Sequence, residues 1–326
     1  MMTKPLLEVS GLTVEFPGRR GTLTAIEDVS FTVQPGEILG MVGESGAGKS
    51  LTGAAVIGLL EPPGRIGAGQ IHLQGARIDN LGREAMRRVR GRQIGAIFQD
   101  PLTSLNPVLT VGEQLIETIQ THLRLDAKAA RQRAIDWLAR VGIPAPEKRI
   151  DTYPHQYSGG MRQRVVIALA LCTEPQLIIA DEPTTALDVS VQAQIIGLLR
   201  GLARETGASV ILVTHDMGVI AETADRVAVM YSGRIVEIGP VADVIARPAH
   251  PYTAGLMASI PRLGPRPEVL AQIEGAMPRL NARPSGCAFN PRCPKVFDLC
   301  RIQRPDLAPH GQGAAACHLT QKEVTA

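Results

Sequence analysis

Eight residues, Gly43-Glu44-Ser45-Gly46-Ala47-Gly48-Lys49-Ser50, read G-x-x-x-x-G-K-S, the spacing of a phosphate-binding P-loop. Gly43, Gly46 and Gly48 let the backbone turn its N–H groups inward on phosphate oxygens, with Ser45 in the same cradle. Lys49 brings a full positive charge to β- and γ-phosphates, and the Ser50 hydroxyl can ligate Mg²⁺. A second anion site is suggested at Ser158-Gly159-Gly160, where a hydroxyl and free N–H groups open a helix with no Cβ in the way. Asp181 and Glu182 end an apolar run. Asp181 suits Mg²⁺, directly or through water, and Glu182 is placed to polarise an attacking water. His215, also at the end of an apolar run, can reach a γ-phosphate, although a lone His is more often structural. Gln99 alone would mean little. Phe16 reads either as a purine stack or as a core aromatic.

These groups need elements to hold them. Ile38 to Val42 is apolar and reads as a buried parallel strand feeding the P-loop, with a helix from Ser50 to Leu60 after it. That strand–loop–helix order is what the motif requires. Residues 6–16 alternate as a strand, 29–33 form another, and Ile71-His72-Leu73 a further short one between glycines. A basic helical stretch starts at Met86, and a short strand leads into Gln99. Residues 112–142 read as helical, with Leu115, Ile119 and Leu123, then Ala134, Leu138 and Val141, on apolar stripes, and Gly142 as the stop. A helix is expected from Ser158 to Leu171, a strand over Leu177–Glu182, a helix from Val189 to Glu205, and a strand over Val210–Thr214. Buried strands of this kind carry functional groups at their carboxyl ends. Val227–Met230 and Arg234–Ile238 form a hairpin around Ser232-Gly233.

The chain has 326 residues and is 44% apolar, enough for about two domains with a proper core. Its 34 basic and 31 acidic residues nearly balance at net +3, which argues against nucleic acid as a partner. No stretch reaches about 18 uninterrupted apolar residues, and the N-terminus lacks the apolar core of a secretory signal. The expectation is a cytoplasmic protein.

Together these motifs resemble the nucleotide-binding subunit of ABC transporters, over roughly residues 6–260. The P-loop, Gln99, the signature Ser158-Gly159-Gly160-Met161-Arg162-Gln163, Asp181-Glu182, Asp188 and His215 occur in that family's order. The resemblance implies an α/β fold: a P-loop domain with a parallel sheet core, an antiparallel β subdomain and a helical subdomain at about 100–170. The domain would span 1–245, and a small Cys-rich extension 246–326. It also implies that two such domains close head to tail over two ATP molecules. Ser158 and Gly160 of one chain meet the γ-phosphate on the partner's P-loop, with Gly159 in the nucleotide-contacting set. Gln99 senses Mg²⁺ and the attacking water, Glu182 is the general base, His215 holds the transition-state geometry, and Asp188 belongs to the nucleotide-contacting set.

Narrower features resemble the oligopeptide/dipeptide (and nickel) importer branch. They are the run Phe98-Gln99-Asp100-Pro101 through Pro107, the segment His250-Pro251-Tyr252-Thr253 through Leu256, and the cysteine-rich end. That branch implies two transmembrane permease subunits, a second and different ABC ATPase subunit, an extracytoplasmic solute-binding protein, and a peripheral position on the cytoplasmic face of the cell (inner) membrane. Nickel, glutathione or another small solute stays open as cargo, as does a soluble, non-transport ABC ATPase.

From Arg247 the composition turns to Pro, Gly and Arg, with Pro261–Pro267 as a linker-like run. Cys287, Cys293, Cys300 and Cys317 are spaced without any C-x-x-C. In a reducing cytosol such a group reads as a metal site rather than disulfides. The leading expectation is a [4Fe–4S] cluster, the alternatives being Zn²⁺ on four Cys or on three with His318, or free thiols. Cys172, in an apolar helix, reads as core.

Overall fold

The computed structural model describes residues 4–19, 21–185, 187–260 and 272–323. The linker-like run at Pro261–Pro267 lies outside them.

The chain opens on a long hairpin, β1 (Leu7–Gly18) and β2 (Gly21–Val33), and turns into β3 (Ile38–Val42). Helix α1 (Lys49–Val56) follows the P-loop, then β4 (Arg65–Leu73) and β5 (Ala76–Arg77). A helix-rich stretch comes next: α2 (Arg83–Val89), β6 (Ile94–Ile97), α3 (Pro101–Ser104), α4 (Val111–His122), α5 (Ala127–Arg140), α6 (Pro146–Arg149) and α7 (Gly159–Leu171). Strands β7 (Leu177–Asp181) and β8 (Ser209–Val213) flank α8 (Val189–Thr206). The chain continues through α9 (Met217–Thr223), β9 (Arg226–Tyr231), β10 (Arg234–Pro240), α10 (Val241–Ala246) and α11 (Pro251–Ala258). Beyond the linker come α12 (Asp298–Ile302), β11 (Ala308–His310), β12 (Gly313–Ala315) and α13 (His318–Glu323).

Two compact units emerge. One contains Met1–Val33, Ile38–Asp79 and Thr214–Ala326; the other contains Gln34–Glu37 and Asn80–Val213. In the first unit β2, β1, β4 and β5 form an antiparallel sheet. Its inward residues, Leu7, Val9, Leu12, Val14, Ile71 and Leu73, are buried, as alternation predicts. In the same unit β3 runs parallel to β9, and β9 pairs antiparallel with β10 across Ser232-Gly233. The C-terminal region is more than loops. Its strand β12 pairs with β10, and β11 with β12, so it adds two strands beside β10.

The second unit has β6, β7 and β8 in parallel register, with β7 in the middle. All of β8 and four of five residues of β7 are buried, which is why both read as continuous apolar runs. Helix α4 starts on a reciprocal cap between Thr110 and Glu113. Val111, Leu115 and Ile119 of α4 and Ala130, Ala134, Trp137 and Leu138 of α5 are buried. Each such large side chain contributes about 1.5–3 kcal/mol of hydrophobic stabilisation.

Four expected elements change, the first being the strand expected over 29–33, which runs back to Gly21. The helical stretch over 112–142 is two helices, because Asp126 accepts a hydrogen bond from the Ala129 N–H at 2.8 Å and starts a new one. The helix expected from Ser50 to Leu60 stops at Val56, where Gly58 takes φ +62° and the Leu59 N–H returns to the Ala54 carbonyl. The short strand at Ile71–Leu73 extends back to Arg65. Gly69, at φ +92°, sits in it because a Cβ there would meet the Gly11 carbonyl oxygen of β1 at 2.5 Å.

Candidate functional site

The first unit carries the P-loop. Strand β3 is buried along its whole length and delivers the chain to Gly43. Gly43 has φ +150°, and a Cβ there would lie 2.2 Å from the Met230 carbonyl oxygen, so only glycine fits. Gly46 and Gly48 are also left-handed. Gly48 caps α1 with no side-chain hydrogen bond, and no acidic residue stands in the first turn. The positive end of α1 is thus left for an external anion rather than answered by the chain's own carboxylates. The Lys49 ammonium lies over its own loop, donating to the carbonyls of Gly43 at 2.9 Å and Glu44 at 3.2 Å. Ser45, Gly46 and Ser50 are exposed, while Lys49 is buried.

Two other expected residues belong to this unit. His215 is exposed, in the turn before α9. That turn is anchored to the P-loop strand by the Thr214 N–H, which donates to the Met41 carbonyl. Asp216 then caps α9 by accepting from the N–H groups of Gly218 and Val219. Phe16 is half-buried in the β1–β2 hairpin, and its ring lies close enough to Gly64 that a Cβ there would approach it to 2.9 Å.

The second unit brings two expected residues into direct contact. Gln99, just past β6, donates from Nε2 to Glu182 Oε2 at 3.2 Å. The Thr185 hydroxyl donates to the same oxygen at 2.9 Å. Glu182 follows Asp181, the last residue of β7, in a left-handed conformation at φ +44°. Its N–H donates to the Val213 carbonyl of β8. A non-glycine residue is strained there, so the paired strands hold the carboxylate in a fixed direction. The signature residue Ser158 caps α7, accepting from the Met161 N–H at 3.3 Å. Arg162 braces the preceding turn by donating to the Pro154 and His155 carbonyls. Gly159 and Gly160 open the helix, and a Cβ on Gly160 would come within 3.0 Å of Val191 on α8. Asp188 is exposed at the start of α8.

The sequence matches the ABC transporter family model over residues 26–185 and the model for the oligopeptide/dipeptide transporter C-terminal region over 236–300. A dipeptide transport ATP-binding protein of Haemophilus influenzae is 45% identical over 98% of this chain and 96% of its own. The chain belongs to the ABC transporter ATPase family. A second such relative, from Bacillus subtilis, is 49% identical over 90% of this chain and 88% of its own. Among solved structures, a dimeric ATP-binding cassette in a post-hydrolysis state with ADP and Pi matches with TM-score 0.65 and 27% identity, over 72% of this chain and 98% of that one. This ABC ATPase has, among the described residues, no helix long and apolar enough to cross a membrane.

The cysteines turn out differently from the expectation. All five are free thiols. The Cys287 N–H donates to the Cys300 carbonyl at 2.8 Å. Burial, and then the neighbouring Cys300, Cys317 and Cys293, push the Cys287 thiol up to about 11. Burial also raises Cys293 and Cys317. The four thus share a neighbourhood, but no group of three or more His, Cys, Asp or Glu side chains is arranged to hold a metal ion among the described residues. The structure therefore does not bring Cys287, Cys293, Cys300 and Cys317 together as a ligand set, and the expected iron–sulfur cluster is not shown. Cys172 is core, its thiol pushed up to about 12 by burial.

Sequence reasoning missed the grip on Glu44. Its N–H donates to the Tyr252 hydroxyl at 2.8 Å, and its carboxylate pairs with Arg292 at 3.0 Å. The only available signal was the His250-Pro251-Tyr252-Thr253 segment, which marked a branch but suggested no role. Thr185 was missed as well; its place three residues after Glu182 is the signal that could have found it.

Proposed function

We propose that this chain is the ATP-hydrolysing subunit of an importer for di- or oligopeptides. The observation that carries this is the match along nearly the whole chain to dipeptide transport ATP-binding proteins, with the P-loop geometry intact. Lys49 and N–H groups of the P-loop other than that of Glu44 bind the ATP phosphates, and Phe16 stacks on the purine. Ser50, Gln99 and Asp181 offer the oxygen donors that suit Mg²⁺, which when bound spreads the phosphate charge. Glu182 takes the proton of the attacking water. Its carboxylate is already oriented by Gln99 and Thr185, the kind of support a general base needs. His215 holds the γ-phosphate geometry, and Asp188 completes the nucleotide contacts. Ser158, Gly159 and Gly160 contact the ATP of a partner ATPase subunit, which we propose is a different chain. ATP favours the closed pair over the open one, and its hydrolysis releases it. Two transmembrane permease subunits carry the peptide, a solute-binding protein delivers it, and this chain sits on the cytoplasmic face of the membrane.

The experiment is ATP binding and turnover by the assembled complex. Glu182→Gln is expected to keep ATP affinity and to lose at least about a hundredfold in turnover. Lys49→Ala is expected to weaken ATP binding itself. Wild-type turnover in Glu182→Gln overturns the base assignment.

The iron–sulfur reading of the tail stays a proposal, supported by four neighbouring free thiols. About four irons and four acid-labile sulfides per chain after anaerobic purification are the expected result. A single zinc or no metal rejects it.

A further inference from the structure

We propose that the C-terminal extension sets the geometry and charge of the P-loop through Arg292 and Tyr252, acting on Glu44, and that ATP affinity depends on this grip. The inference deepens the ATP-binding reading and rests on it.

Glu44 is the second residue of the P-loop, and its N–H and carboxylate are held from outside the phosphate cradle. The carbonyl accepts from Lys49, the N–H donates to the Tyr252 hydroxyl, and the carboxylate meets the Arg292 guanidinium. Arg292 is a hub. Its Nε donates to the Glu274 carbonyl at 2.7 Å, and Nη2 to those of Ile273 at 3.2 Å and Gly275 at 3.4 Å. Its Nη1 also lies 3.4 Å from the Tyr231 hydroxyl. The Arg292 side chain is 7% exposed, so the pair with Glu44 is poorly screened.

Tyr252 is held as firmly. Buried Glu237 of β10 accepts from the N–H groups of Ala249 and His250. His250 Nδ1 in turn accepts from the Tyr252 N–H and starts α11. The Tyr252 ring packs edge-on against Tyr231 and Phe289, with centroids 4.6 and 5.4 Å away. Both contacts on Glu44 therefore come from rigid neighbours.

The chemistry gives this arrangement a purpose. A carboxylate inside a phosphate-binding loop repels a polyanionic ligand. Arg292 cancels that charge and turns it away, and Tyr252 fixes the direction of the peptide unit at the start of the loop. Arg292 and Tyr252 are positioning residues; neither is assigned a contact with ATP.

The test is the affinity of the full chain for a fluorescent ATP analogue. Wild type must bind, and failure there overturns the ATP-binding reading itself. Given wild-type binding, Arg292→Ala is expected to weaken it about tenfold. Adding Glu44→Gln to Arg292→Ala should recover most of the loss, because the repelling charge is gone. A defect in tail folding would not be cured by a change in the P-loop. Tyr252→Phe keeps the buried ring and removes only the hydroxyl, and is expected to weaken binding severalfold. Unchanged affinity in both Arg292→Ala and Tyr252→Phe overturns the inference. So does a loss in Arg292→Ala that Glu44→Gln leaves uncorrected.

Discussion

His250 is a residue whose titration the fold constrains. It is fully buried, and burial lowers its pKa to about 3. In the unfolded chain the same ring titrates near its ordinary value, about 6.5. Between those values the unfolded chain binds a proton that the folded one does not, so stability falls as pH falls. From pH 6.5 to 5 the loss is about 2 kcal/mol from this residue. His250→Asn keeps an acceptor for the Tyr252 N–H and removes the titration. Denaturant melts at the two pH values should show the variant losing less stability than wild type on acidification; equal losses would contradict the assignment. The sequence announces residues of another kind. Lys49 and Ser50 are legible because glycines at fixed spacing have few other uses. Glu182 is legible as an acid ending an apolar strand. Its left-handed backbone is not, because it depends on where β8 lies. Arg292 was invisible for the same reason: its partner is 248 residues away.

At the level of elements, legibility follows burial. Strands β3, β7 and β8 are buried nearly throughout, so their apolar runs are unmistakable and their ends fall within a residue of expectation. Helix α7 starts where Ser158 and the two glycines say it should. The break between α4 and α5 is harder to see, because the apolar spacing carries on across it while one capping aspartate interrupts the backbone. Strands β11 and β12 have three residues each, built from Ala, Pro, His and Gly. Nothing in those residues favours a strand; the free edge of β10 recruits them. The extension that composition suggests is a loose tail thus gains its order from the sheet beside it.

At the level of the molecule, the extension belongs to the same compact unit as the P-loop and is tied to it at several points, two of which involve the sheet and the P-loop. It continues that unit's sheet through β12, and it holds the P-loop through Arg292 and Tyr252. Such a chain has the parts to bind and hydrolyse ATP, and its family supplies the permease to be driven. The measurement that tests the central claim most directly is uptake of labelled di- and oligopeptides by cells of the native host in which this chain carries Glu182→Gln. Peptide uptake is predicted to fall to background while uptake of free amino acids is unchanged. Full uptake of every peptide in the variant cells would contradict the account.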